Sequence, residues 1–115
     1  MHDFQLEKRG EKMELKVMTF NIRVHVPQDG SNAWPYRIEK VSKIILDHSP
    51  LVIGTQEGSL HMLEDIGKRL PDYRWTGQGR RGGMKDEFCA VFYKYNLIRR
   101  LKFIIVKEKD KNELD

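Results

Sequence analysis

Two polar side chains, Asn21 and Glu57, each stand at or just past the end of an apolar run, and together they have the donor chemistry to hold a hard cation. A carboxylate beside an amide oxygen suits magnesium, which prefers oxygen ligands and keeps several of its waters. The two residues alone leave a second reading open. Asparagine commonly ends a strand as a turn former, and a glutamate ahead of a helix complements the helix dipole.

Other groups carry less. The run from Gly77 to Gly82 (Gly-Gln-Gly-Arg-Arg-Gly) matches the glycine spacing of a dinucleotide loop. Such a loop must open a helix whose N-terminus receives the pyrophosphate, whereas the sequence that follows reads as a strand. A hairpin connection is expected there instead, with Arg80 and Arg81 available to a substrate phosphate. Glu57 and His61 fall four apart, on one helix face if a helix runs through both, but no third metal ligand accompanies them, so an exposed polar pair is expected. His2, His25 and His48 have no evident partners and are expected at the surface.

The elements that must position Asn21 and Glu57 follow from apolar patterning. Leu15 to Ile22 (Leu-Lys-Val-Met-Thr-Phe-Asn-Ile) reads as a strand covered on both faces. Ile38, Val41, Ile44 and Ile45 form one stripe of a helix over Tyr36 to Asp47, which Pro50 closes by forcing Ser49 out of the helical region. Leu51 to Thr55 is a short apolar strand. Leu60, Leu63, Ile66 and Leu70 give a second helix, with Ser59 as cap and Pro71 as stop. Tyr73 to Thr76 forms a brief strand, Gly77 to Gly83 a loop, and Glu87 to Tyr93 a longer strand. Leu101 to Val106 allows one more. A crossover helix makes the first two strands parallel, so Asn21 and Glu57 share one rim of the sheet, where ligands of open α/β sheets bind.

At 115 residues the chain holds one small domain. Apolar residues are 39% and charged residues 33%, and no apolar run approaches the roughly 18 residues of a membrane span. Nothing near the start resembles the apolar region of a signal peptide, so a cytoplasmic location is expected. The single cysteine, Cys89, lies in an apolar run and reads as a buried small hydrophobe. The formal charge of +4 is unevenly spread: residues 1–12 balance, residues 13–93 carry eleven basic and ten acidic groups, and residues 94–115 carry seven and four. A basic tail attracts any polyanion without marking a designed binding face. Three regions are expected: a disordered lead-in over 1–12, a partial domain over 13–93, and a divergent basic tail over 94–115 whose residues resemble an out-of-frame ending.

Taken together, Met18 to Arg23 (Met-Thr-Phe-Asn-Ile-Arg), Asp29 to Arg37, Gly54 to Gly58 (Gly-Thr-Gln-Glu-Gly) and Asp86 to Tyr93 resemble the endonuclease/exonuclease/phosphatase superfamily, four segments in order. The resemblance covers about Leu15 to Tyr93. It implies an α/β fold, the N-terminal half of a four-layer α/β sandwich with element order β-α-β-α-β-β, and a phosphoester hydrolase using magnesium or manganese. It places Glu57 and Asn21 at the metal and Asn21 and Glu87 in catalysis, Glu87 by supporting a catalytic histidine; Arg23, Arg80 and Arg81 are further candidates for the substrate phosphate. The family's Gly-Asp-x-Asn stretch and terminal Asp-His pair have no counterpart in this sequence. The chain is therefore expected to be weakly active or inactive alone and poorly stable, since half a sandwich exposes a face that a separate C-terminal half of the domain would cover. The alternative reading is a non-catalytic module contacting a polyanion through the Gly/Arg loop and basic tail.

Overall fold

The computed structural model describes residues 2–8, 10–79 and 87–102. Its framework is a five-stranded sheet of strands β1 (His2–Lys8), β2 (Glu11–Asn21), β3 (Val52–Gly58), β4 (Tyr73–Gly79) and β5 (Phe88–Lys94), in spatial order β1-β2-β3-β5-β4. Helices α1 (Trp34–His48) and α2 (Leu60–Arg69) follow β2 and β3, and residues 95–102 are helical. The β-α-β-α-β-β order is thus present, preceded by one further strand.

β2 and β3 run parallel, in register from Val17 opposite Val52 to Asn21 opposite Gln56, as the crossover through α1 requires. β5 lies antiparallel to both β3 and β4. One cross-strand row, Met18, Ile53, Phe92 and Trp75, faces the helices, whose stripes Ile38, Val41, Ile45 and Met62, Leu63, Ile66 complete the core. Each large aliphatic or aromatic side chain fully buried here stabilises the fold by about 1.5–3 kcal/mol relative to exposure. The next row, Thr19, Gly54, Val91 and Thr76, points the other way, and Val91 is 40% exposed there. Cys89, two residues before Val91 on β5, is exposed on that same face rather than buried as expected, because alternate strand positions face opposite ways. Helices therefore cover one face of the sheet, and the opposite face carries a mixture of small, polar and apolar side chains.

Within residues 1–12, expected to be a disordered lead-in, His2–Lys8 form β1 and Glu11 begins β2. Gly10, at φ 79°, turns the chain so that Lys8 faces Glu11 and the pairing continues to His2 opposite Val17. A polar edge strand buries little, so it leaves no apolar periodicity to read; its charged residues also suit an edge. β4 likewise runs to Gly79, three residues past the expected strand end. Part of the expected glycine loop is thus sheet. Residues 95–102 are helical where the sequence suggested a strand starting at Leu101; the rest of that expected strand lies outside the described residues. Tyr95, Leu97, Ile98 and Leu101 are the half-buried positions of this segment, with the three- and four-residue steps of a helix among them.

Two local details make testable statements. A Cβ on Gly77 would stand 2.9 Å from the Ala90 Cβ and 3.2 Å from the Cys89 carbonyl oxygen. Because part of that crowding is backbone, Gly77→Ala is expected to destabilise the fold by about 1–3 kcal/mol, read by urea unfolding. An unchanged midpoint would show that β4 yields freely. Tyr73 is buried in the core, and its hydroxyl donates to the Pro50 carbonyl oxygen. Burial, with a lesser contribution from Asp72, pushes its phenol from 10.0 up to about 12. The neutral form is favoured in the folded state, so this contribution to stability is complete below the unfolded phenol's pKa and is lost as pH rises through about 12. In absorbance titration one of the tyrosines should ionise late; uniform ionisation near 10 would contradict the burial.

Candidate functional site

The C-terminal ends of β2 and β3 form the rim that carries Asn21 and Glu57. Glu57 lies within a bulge: the pairing of β3 with β5 shifts register between Thr55 and Gly58. Its backbone is left-handed, at φ 63°, a conformation that costs a non-glycine residue about 1–2 kcal/mol. Bulges re-aim side chains beside functional sites, and this one turns the Glu57 carboxylate toward Asn21. The Asn21 Nδ2 donates to the Glu57 Oε2.

The other end of the Asn21 amide is fixed as well. Its Oδ1 accepts the backbone N–H of Arg23 at 2.9 Å, and Arg23 is itself left-handed at φ 54°. With its oxygen engaged, Asn21 presents its amide N–H groups to the site. Asn21 thereby fixes the direction of the Glu57 carboxylate, the residue expected from the sequence to share a metal with it.

Arg23 is expected at the substrate phosphate, but its guanidinium forks onto Asp29, Nε to Oδ2 at 2.8 Å and Nη2 to Oδ1 at 2.9 Å. The hydrogen bond from Arg23 holds the Asp29 carboxyl below its ordinary range, and the same bond raises Arg23. A depressed carboxyl stabilises the fold above its unfolded pKa, and that contribution disappears as pH falls through the folded value. The pair ties the loop after β2 to the two short 3-10 turns over Pro27–Asn32, which break at Gly30, φ 61°.

Arg37 locks the same loop from beneath. Its Nη1 donates to the Ile22 carbonyl at 2.5 Å and its Nη2 to the Arg23 carbonyl at 3.0 Å, while the guanidinium lies 5.5 Å from the centre of the Trp34 ring. Trp34 in turn donates from Nε1 to the Asp65 Oδ2 at 3.1 Å, joining α1 to α2. His61 reaches the same oxygen of Asp65 at 3.3 Å rather than pairing with Glu57. His25, expected at the surface, is half-buried with its ring 6.3 Å from that of His61, and its Nδ1 has no hydrogen-bond partner among the described residues. His2 and His48 are exposed.

Glu87 immediately precedes β5, and Phe88 pairs with Gly58, so the antiparallel strand begins beside the end of β3 and brings Glu87 to the rim of Glu57. Arg80 and Arg81 lie outside the described residues. The members of the site that the sequence reading did not single out are Asp29, Arg37 and Asp65; only the segment from Asp29 to Arg37 carried a signal, as a block. Among the described residues no three His, Cys, Asp or Glu side chains converge as a metal cluster. The donor set fits magnesium in its usual mode, one protein carboxylate with water and substrate phosphate completing the shell, and does not fit an all-protein cage. No described helix is long and apolar enough to cross a membrane.

Residues 18–110 match the model of the Endonuclease/Exonuclease/phosphatase family. No curated protein matches the chain. Among solved structures, an endonuclease/exonuclease/phosphatase from Bacteroides vulgatus is 38% identical with a TM-score of 0.66, over 68% of this chain and 30% of that one. A mannosyl-6-phosphatase from Bacteroides thetaiotaomicron VPI-5482 is 33% identical with a TM-score of 0.68, over 71% and 32%. A functionally unknown conserved protein from Enterococcus faecalis V583 is 25% identical with a TM-score of 0.64, over 69% and 31%. The chain thus spans about a third of the length of these similar structures.

Proposed function

The chain belongs to the Endonuclease/Exonuclease/phosphatase family, and on that premise we propose that it supplies the metal-binding half of a magnesium- or manganese-dependent phosphoester hydrolase. The observation that carries the reading is Glu57, held in a left-handed bulge with its carboxylate fixed by Asn21 on the ligand-binding rim of the sheet. Similarity to a mannosyl-6-phosphatase supports a phosphomonoester substrate.

In this reading Glu57 holds the ion, Asn21 orients Glu57 and donates to a phosphoryl oxygen, and Glu87 positions a catalytic histidine contributed from outside these 115 residues. Magnesium, when bound, neutralises charge on the phosphoryl oxygens. Arg23, already paired with Asp29, shapes the loop and adds positive potential at the phosphate. The general base comes from a C-terminal half, which also covers the sheet face bearing Thr19 and Val91; alone, the chain is weakly active or inactive. A cytoplasmic location accords with the sequence pattern. The alternative of a polyanion-binding module rests on the Gly/Arg loop and tail and would show steep salt dependence without any need for Glu57.

Manganese binding by the 115-residue chain, followed by electron paramagnetic resonance, tests the proposal. Glu57→Gln should weaken it by at least about tenfold, since the amide keeps the shape and loses the charge. Phosphatase turnover should appear only when the C-terminal two-thirds of a relative is supplied. Metal binding indifferent to Glu57→Gln would refute the assignment.

A further inference from the structure

The loop after β2, the 3-10 turns and the start of α1 form a pocket of about 560 Å³, lined in part by His25, whose ring lies 6.3 Å from that of His61, four residues after Glu57. Its position is tied to the site already described. His25 follows Asn21 by four residues, and Asp29, within the same 3-10 segment, is bridged to Arg23. A phosphate held near Asn21 and Glu57 therefore has this pocket as a neighbouring compartment for the group that carries it.

The lining specifies what that group is. Pro27, Pro35 and the ring of Tyr36 give flat apolar surfaces, and His25 and Ser31 give polar ones. None of the described lining residues is Lys, Arg, Asp or Glu. Proteins meet the further phosphates of a polynucleotide with Lys and Arg, whereas the described lining offers flat apolar and neutral polar surfaces that suit an uncharged group. Tyr36 is 73% exposed although it is large and begins a helix whose opposite face is buried. Its ring is thus free to act as a stacking platform, and amphipathic ring residues in that setting mark ligand contacts.

Resting on the phosphoesterase reading above, we propose that this pocket receives the sugar ring of a sugar phosphate, whose apolar ring face packs on Tyr36 while its hydroxyls meet His25 and Ser31. Tyr36 is then a specificity-determining residue rather than a catalytic one. It touches the part of the substrate that does not react.

Saturation-transfer NMR on the 115-residue chain with magnesium, using mannose 6-phosphate, thymidine 5′-monophosphate and inorganic phosphate as probes, tests the proposal. Ring C–H protons of mannose 6-phosphate should receive saturation, and Tyr36→Ala should weaken its binding about tenfold, with inorganic phosphate unaffected. Tyr36 is exposed, so the variant should retain the parent circular dichroism spectrum and melting curve. Sugar phosphate binding equal in parent and variant, or none in the parent, would overturn the pocket assignment. So would thymidine monophosphate binding as tightly and losing as much. Glu57→Gln reads the other proposal independently: if it leaves manganese binding intact while Tyr36→Ala still weakens mannose 6-phosphate, the metal assignment fails and the pocket stands.

Discussion

Glu57→Gly is expected to raise the melting temperature of this protein while removing its divalent-metal binding. At φ 63° the Glu57 backbone occupies a region that glycine adopts without steric cost. Removing the Cβ there relieves about 1–2 kcal/mol of backbone strain, partly offset by the greater freedom of glycine in the unfolded chain. Glu57→Ala is the control, because it removes the same carboxylate and keeps the strain. The glycine variant should be the more stable of the two by about 1 kcal/mol, or about 4–8 °C for a domain of this size. Both should lose manganese affinity to the same extent. A glycine variant that melts with or below the alanine variant would show that the bulge is not strained and that Glu57 occupies it for another reason.

This position also shows where sequence reasoning reached its limit. The segment Gly54 to Gly58 marks Glu57 as a rim carboxylate, and the alternating helices and strands place it correctly beside Asn21. The bulge itself was not legible, because the glycine stands at 58 and not at the left-handed position. The structure explains the displacement: a Cβ on Gly58 would meet the Ile22 Cδ1 at 2.8 Å and the Leu63 Cδ2 at 3.0 Å. Packing between Ile22, just past β2, and Leu63 of α2 claims the glycine, and Glu57 takes the strained conformation. Asn21 follows the same pattern. Its residue type suggested a ligand, whereas the hydrogen bond from the Arg23 backbone decides which end of the amide faces the site.

The helices and central strands were legible because they bury one face, and burial writes a period into sequence. β1 was not, since an edge strand is held mainly by backbone pairing that any residue types can provide. The support beneath the rim was hidden for a different reason. Arg37 acts on carbonyl groups of Ile22 and Arg23, fifteen and fourteen residues away, and backbone acceptors have no sequence signature.

Trp34→Ala is expected to be the most damaging single substitution to the fold, and its effect should reach the site through Arg37. Trp34 is 1% exposed at the start of α1, in contact with the core, bonded to Asp65 of α2 and lying against the Arg37 guanidinium. Truncation removes a whole indole from the junction of two helices, a loss of about 3–5 kcal/mol. Set against a total stability of about 5–15 kcal/mol for a domain, that loss leaves a chain partly unfolded at ordinary temperature. Trp34→Phe separates the two roles, because it keeps most of the packing and gives up the bond to Asp65; a cost of about 1–2 kcal/mol is expected. Arg37→Lys tests the next link: an ammonium cannot reproduce the planar fork that spans both carbonyls, so the loop bearing Arg23 should loosen while α1 remains folded. In amide exchange, protection should fall at Arg23, whose N–H is held by Asn21, before it falls along α1. If Arg37→Lys leaves Arg23 as protected as in the parent, the guanidinium does not hold the loop, and the rim keeps its shape through the Asn21 and Asp29 bonds alone.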